Sequence, residues 1–147
     1  NYVDASPVLA DGLADGLGSP LVVAPDSGAR RLAESLAESL GGDPDHLVKE
    51  RISGDEVRIE TRELDAQGRD GVLVDDMVAT GGTMSEAVEV LRDNGARSVR
   101  VACVHPVFAR NAVLRLYSAG VERVVATDTL GTALSEVSVA PVLARHL

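Results

Sequence analysis

The chain has 147 residues, enough for one domain around one hydrophobic core, and 45% of them are hydrophobic. No apolar run approaches the length of a membrane span, and no charged and then apolar leader is visible, so we expect a cytoplasmic protein without a membrane partner. The net charge of −9 argues against a nucleic-acid partner, because binding to phosphates needs clustered lysine and arginine. The single cysteine, Cys103, lies in an apolar run and predicts a buried thiol.

The basic residues are almost all arginine. Lysine and arginine together number 14, and Lys49 is the only lysine. An acidic, lysine-poor composition is typical of proteins from halophilic organisms, although an ordinary acidic cytosolic protein is the alternative. Since this composition keeps one lysine, beside Arg51 at the start of a loop, Lys49 is a candidate functional residue; a random surface lysine is the other interpretation.

The first half of the chain predicts strands and one helix in alternation. A buried strand is predicted at 21–24 and an amphipathic helix at 30–40, where leucines recur at helical spacing. Gly41 and Gly42 then favour a left-handed helix end. A short strand is predicted at 47–51, and the alternating pattern of 57–61 indicates a half-exposed strand or hairpin arm.

The second half repeats the alternation. A buried strand is predicted at 72–74, followed by a helix at 83–94 with Thr83 as its N-cap and Glu86 at the capping-box position. Asn94 and Gly95 end this helix. The remaining predicted elements are a strand at 99–104, a helix at 112–119, a strand at 124–126 and a short helix after Ser138.

Strands and helices that alternate at this spacing predict a single three-layer α/β domain, in which helices flank a mainly parallel sheet. Ligands of such sheets bind beyond the carboxyl ends of the strands. The polar segments of this sequence follow its predicted strands, and we therefore expect them to meet at that edge.

The segment "VLVDDMVATGGTM" combines acidic and small residues between a strand and a helix. Backbone amides at a helix start bind phosphate, and the carboxylates of Asp75 and Asp76 can accept hydrogen bonds from sugar hydroxyls. The segment therefore predicts a site for a phosphorylated sugar, although a plain strand-to-helix turn is the alternative. The predicted phosphate-binding residues are Ala79, Thr80, Gly81, Gly82 and Thr83.

This segment resembles the phosphoribosyl-binding motif of type I phosphoribosyltransferases and phosphoribosyl diphosphate (PRPP) synthetases. Three further segments, "VVAPDSGARR", "KER" and "HPVFARNAVLRLYSAGVERVVATDTL", resemble the C-terminal half of the ribose-phosphate diphosphokinases, most closely the archaeal form. The resemblance runs from about residue 21 to the end of the chain. It implies a type I phosphoribosyltransferase-like fold.

The resemblance also implies roles for individual residues. Asp26 would hold Mg²⁺, Lys49 and Arg51 would be catalytic, and Arg51 would also contact the sugar. Asp75 and Asp76 would face the ribose hydroxyls, and residues 79–83 would bind the 5-phosphate. The implied reaction transfers diphosphate from ATP to the C1 hydroxyl of ribose 5-phosphate, which gives PRPP and AMP.

The sequence also departs from the family that it resembles. The N-terminal half, which supplies most of the ATP site, is absent from these residues, so we expect the isolated domain to be inactive or weakly active. ATP would bind largely through that half, and the full enzyme is expected to be a homo-oligomer. Two alternatives stay open: a stand-alone type I phosphoribosyltransferase that uses PRPP, and a non-catalytic phosphoribosyl-binding regulatory protein.

Overall fold

The elements of the chain are those of an alternating α/β protein. The computed structural model describes residues 2–54, 56–59 and 63–147, without the side chains of residues 51, 56 and 57. The strands are β1 Leu21–Ala24, β2 Asp43–His46, β3 Lys49–Ser53, β4 Glu56–Ile59, β5 Asp70–Val78, β6 Ser98–Pro106, β7 Arg123–Thr127 and β8 Ser135–Val137. The helices are α1 Ser6–Leu13, α2 Arg30–Leu40, α3 Gly82–Asp93, α4 Ala112–Ser118 and α5 Ala140–Ala144, with a 3-10 turn at Ser27–Ala29.

Six of these strands form one parallel sheet in the order β2-β1-β5-β6-β7-β8. The chain adds β2 on one side of β1 and then places β5 on the other side. The direction of strand addition therefore reverses between β1 and β5. The loops that leave these two strands at their carboxyl ends frame a crevice, which is where ligands of open α/β sheets bind.

Helices cover both faces of the sheet, so the predicted three-layer α/β fold is confirmed. On one face α1 and α2 pack on the sheet, and on the other α3 and α4 do so. The four central strands β1, β5, β6 and β7 contribute alternate residues to the two cores, as the pleat requires. Val72 and Val74 of β5 belong to the α1/α2 core, whereas Leu73 between them belongs to the α3/α4 core.

The two outermost strands, β2 and β8, were not predicted. Their sequences, "DPDH" and "SEV", carry little apolar pattern, since an edge strand is held by backbone hydrogen bonds and little of its surface is buried. Pro44 fits such an edge position. Gly42 allows β2 to start close to β1, because a Cβ there would lie 2.2 Å from the carbonyl oxygen of Pro20.

Strands β3 and β4 form a separate antiparallel hairpin. The hairpin arm predicted at 57–61 is confirmed for Val57 to Ile59, and Thr61 lies outside the described residues. The strand predicted at 47–51 begins two residues later, at Lys49, because Leu47 is fully buried and donates its N–H to the carbonyl of Ala24.

The predicted cap of α3 is wrong. The helix begins at Gly82, and its N-cap is Gly81, which has φ of 78° and provides no capping side chain. The left-handed turn at Gly81 starts the helix before Thr83 can cap it. Thr83 thus lies inside the first turn, where its amide points out of the helix end.

The buried thiol predicted for Cys103 is confirmed. Cys103 is fully buried, and this burial raises the pKa of its thiol to about 12, so the thiol stays protonated. Among the described residues, no helix combines the length and apolar character needed to cross a bilayer.

Candidate functional site

The carboxyl ends of β1 and β5 bring the sequence-predicted residues to one crevice. Asp26 follows β1 and caps the 3-10 turn, whereas residues 79–83 follow β5 and lead into α3. The strands are parallel, with Leu21 in register with Gly71 and Val23 with Leu73, so their carboxyl ends face the same end of the sheet. The order of the sheet therefore joins two segments that are separated by about a third of the chain.

Residues 79–83 present unused backbone amides. The first bond of α3 runs from the Ser85 N–H to the Gly81 carbonyl at 2.8 Å, so the amides of Gly82, Thr83 and Met84 have no acceptor within the helix. The positive end of the helix dipole adds to this effect. Such an arrangement favours an anion, as the sequence predicted.

A second loop, residues 107–111, supports the first from the side, a role that was not predicted for it. The Phe108 N–H donates to the Val78 carbonyl at 3.0 Å, and the Ala109 N–H donates to the Ala79 carbonyl at 2.8 Å. Phe108 and Arg110 adopt positive φ values of 45° and 57°. Non-glycine residues in this conformation cost about 1–3 kcal/mol each and cluster near functional sites. Positive φ could have been suspected only for glycine or asparagine, which neither residue is.

Asp75 and Asp76 form an acidic pair at the end of β5. The Asp76 N–H donates to Asp75 Oδ1 at 2.8 Å. Burial raises the pKa of Asp75 to about 7, and the neighbouring carboxyl of Asp76 and the charge of Asp26 add to this increase. Asp75 is therefore a carboxyl group whose charge is costly until a hydrogen-bond donor reaches it.

Asp26 and Lys49 form an ion pair that sequence reasoning did not foresee. Lys49 Nζ lies 2.9 Å from Asp26 Oδ2, and the side chains are 32% and 29% exposed. The other oxygen of Asp26 accepts the Gly28 N–H at 2.8 Å. Burial acts to raise the pKa of Asp26, but Lys49 and the amides of the 3-10 turn outweigh it, and the pKa is lowered. Asp26 is consequently a carboxylate that holds a cation.

A cavity of about 210 Å³ collects most of the predicted residues. Lys49, Asp75 and residues 79–83 all line it, together with Met77, Val78 and Met84. Asp76 instead borders a neighbouring cavity of about 320 Å³, because successive side chains of a strand point to opposite faces. The described part of the structure does not include the side chain of Arg51.

Met77 is the most exposed of the three lining residues that were not predicted. It is 52% exposed near the end of β5, whose first five residues are buried. An apolar residue directly after two acids was a usable signal, because a strand end that points into solvent rarely needs a large apolar side chain.

His105 is held beside the site by hydroxyl groups. Its Nδ1 lies 2.9 Å from Thr129 Oγ1, and that hydroxyl donates to the Val104 carbonyl at 2.8 Å. Because the hydroxyl proton of Thr129 is used, the histidine Nδ1 is the donor of this bond, and the bond fixes the orientation of the ring.

Replacing Asp75 with asparagine is expected to separate binding from stability. The folded-state pKa of about 7 lies above the ordinary value of 3.8, so this carboxyl contributes stability that is full below about pH 4 and is lost as the pH rises through about 7. Asp75→Asn should therefore raise the free energy of unfolding at pH 8 by about 1–2 kcal/mol, and much less at pH 5. Denaturant unfolding at both pH values measures this difference.

The same variant should weaken sugar binding about tenfold, because a neutral amide is a poorer acceptor than a carboxylate. Asp11→Asn, which removes an exposed carboxylate on α1, is the matched control and should change neither quantity. A large loss of stability in Asp75→Asn would instead assign Asp75 to the fold.

Comparison with known protein families gives a match over most of the chain. The family model described as phosphoribosyl transferase domain matches residues 9–131. The chain is 53% identical over 146 residues to a ribose-phosphate pyrophosphokinase of Methanosarcina acetivorans, a match that covers 99% of this chain and 52% of the relative. It is 50% identical over 146 residues to one of Halobacterium salinarum, covering 99% and 51%. The chain thus spans about half the length of the curated relatives it matches.

Solved structures give the same result for the fold. A phosphoribosylpyrophosphate synthetase from Mycobacterium smegmatis superposes with a TM-score of 0.76 at 34% identity, covering 97% of this chain and 49% of that chain. A purine phosphoribosyltransferase from Pyrococcus horikoshii superposes with a TM-score of 0.61 at 21% identity, covering 85% and 82%. The resemblance and the fold predicted from the sequence are both confirmed.

Proposed function

The chain belongs to the phosphoribosyl transferase domain family, and from this premise we propose that it is the ribose 5-phosphate-binding half of a ribose-phosphate pyrophosphokinase. In this reaction diphosphate passes from ATP to the C1 hydroxyl of ribose 5-phosphate, and the products are PRPP and AMP. ATP is bound largely by a further half of the enzyme, and the whole enzyme is a cytoplasmic homo-oligomer.

One observation carries this proposal. The anion-binding amides of residues 79–83, the carboxyl of Asp75 and the ammonium of Lys49 border a single cavity. A phosphorylated sugar has a dianion at one end and hydroxyls at the other. The backbone amides suit the dianion, and the carboxyl of Asp75 suits the hydroxyls. The curated relatives named above are pyrophosphokinases, which favours this sugar over other phosphorylated ligands.

Asp26 is the residue that would hold Mg²⁺. Its carboxylate already faces a cation, the Lys49 ammonium at 2.9 Å, and it is partly exposed, so the position suits a positive charge. Within the described ranges, no three histidine, cysteine or acidic side chains converge on a metal site. Mg²⁺ commonly binds through one or two carboxylates and completes its shell with water and phosphate oxygens, which fits a single aspartate.

The residues of the chain act mainly by positioning. Amides of residues 79–83 hold the 5-phosphate, and Asp75 accepts hydrogen bonds from the ribose hydroxyls, which orients C1 toward the crevice. Asp76, for which the resemblance implies the same role, borders the neighbouring cavity. Lys49 and Arg51 bring positive charge to the phosphoryl group in transfer, where charge is redistributed in the transition state. Mg²⁺, when bound, neutralises phosphate charge.

The proposed function predicts binding of ribose 5-phosphate in clear preference to ribose. Isothermal titration of the 147-residue chain should give at least about a tenfold higher affinity for the phosphorylated sugar, since several charge-assisted hydrogen bonds to the phosphate are lost with ribose. Equal and undetectable binding of both sugars would contradict the proposal.

The same protein distinguishes the alternatives. Transfer of a phosphoribosyl group from PRPP to a purine or pyrimidine base, in the absence of ATP, would assign the chain to the stand-alone phosphoribosyltransferases. Tight sugar-phosphate binding without turnover by the natural full-length protein would assign it to the regulatory proteins.

A further inference from the structure

Arg115 of α4 lies beside the start of α3. A Cβ added to Gly82 would lie 3.3 Å from Arg115 Nη1, so the guanidinium lies directly against the first residue of that helix. Among the described residues, no hydrogen bond or ion pair involves the Arg115 side chain. The guanidinium is therefore free to bind a ligand.

This position is electrostatically unfavourable without an anion. The amides of Gly82 and Thr83 carry the positive end of the α3 dipole, and the guanidinium adds a full positive charge next to them. No basic residue occurs among residues 75–84, and Lys49 is paired with Asp26. A dianion between Arg115 and the amides would relieve this repulsion and satisfy both groups.

The geometry points to Arg115 as a phosphate-binding residue of this site, which closes the side of residues 79–83 and pairs with the 5-phosphate of ribose 5-phosphate. This inference rests on the proposed function. The planar guanidinium suits two phosphate oxygens at once, a geometry that a lysine ammonium lacks.

Helix α4 is fixed relative to the phosphate-binding amides. A Cβ on Gly81 would lie 3.3 Å from the Ala112 carbonyl oxygen and 3.6 Å from Ala112 Cβ, so the first residue of α4 packs against the turn. The bonds from Phe108 and Ala109 to Val78 and Ala79 join the preceding loop to the same turn. Arg115, one turn into α4, is thus presented by a rigid element.

The inference predicts that Arg115→Gln weakens ribose 5-phosphate binding about tenfold, the effect of losing a charge-assisted hydrogen bond. The affinity of this variant for inorganic phosphate should fall as well, and its remaining affinity for ribose 5-phosphate should depend less on salt concentration. Arg115→Lys should restore part of the affinity, because the charge returns without the planar geometry. Titration calorimetry measures each of these quantities.

Arg123→Gln is the matched control. It also removes one arginine charge, from a half-exposed side chain paired with Glu136, but at the amino end of β7, the end of the sheet away from the site. It should leave the affinity for ribose 5-phosphate unchanged and so exclude an effect of net charge.

The outcomes separate this inference from the proposed function. Wild-type protein that binds ribose 5-phosphate, with Arg115→Gln binding equally well, would overturn the role of Arg115 and leave the proposed function intact. Wild-type protein that binds neither ligand would overturn both. An equal loss of melting temperature in the Gln and Lys variants would show that Arg115 stabilises the fold instead.

Discussion

Replacing Lys49 with alanine is expected to lower kcat by about a hundredfold or more, while the affinity for ribose 5-phosphate stays nearly unchanged. A cation aimed at the transferring phosphoryl group acts mainly in the transition state, and losing such a contact costs about 3 kcal/mol. Lys49→Arg should recover only part of the rate, because guanidinium places its charge differently. Steady-state kinetics of the natural full-length protein with ATP and Mg²⁺ measure kcat and the KM for ribose 5-phosphate.

The ion pair of Lys49 with Asp26 gives this prediction a second measurement. Because the ammonium occupies one oxygen of the carboxylate, Lys49→Ala should bind Mn²⁺, as a probe for Mg²⁺, more tightly than the wild-type chain. Arg123→Ala removes another 2.9 Å ion pair, far from the site, and should alter neither kcat nor Mn²⁺ affinity. A rise in KM with unchanged kcat would make Lys49 a uniform binding residue and contradict the proposed catalytic role.

Replacing Gly81 with valine is expected to abolish ribose 5-phosphate binding, with a loss of about a hundredfold or more. Gly81 has φ of 78°, a conformation in which a β-branched residue is strongly disfavoured. Its new Cβ would also lie 3.3 Å from the carbonyl oxygen of Ala112. The turn would have to reorganise, and the N–H groups of residues 82 and 83 would no longer point toward the phosphate position. Titration with ribose 5-phosphate tests this.

Gly131→Val serves as the comparison for Gly81→Val. A Cβ on Gly131 would meet no atom within 4 Å, and its φ lies outside the left-handed range. The substitution should therefore preserve both stability and sugar-phosphate binding. If Gly81→Val bound ribose 5-phosphate as well as Gly131→Val does, the phosphate would have to bind elsewhere.

Local patterns in the sequence are sufficient to predict the fold class and most of the central elements. Helix α2 has the predicted bounds, because leucines at helical spacing and the glycine at its end are local signals. The strands β1, β5, β6 and β7 were also predicted, since continuous apolar runs mark buried parallel strands. The candidate phosphate-binding residues were predictable for the same reason: amides at a strand-to-helix turn depend on neighbours in the chain.

How these segments meet depends on tertiary packing, which local patterns do not specify. The edge strands have no apolar pattern, and their pairing depends on the neighbouring strand. The contact between Asp26 and Lys49 depends on how the β3–β4 hairpin lies over the crevice, and that of Arg115 with Gly82 depends on how α4 packs against α3. Such contacts join residues that are distant in the chain, so no local spacing encodes them. The geometry of the sheet and its helices therefore assembled the site from segments that the sequence identified singly.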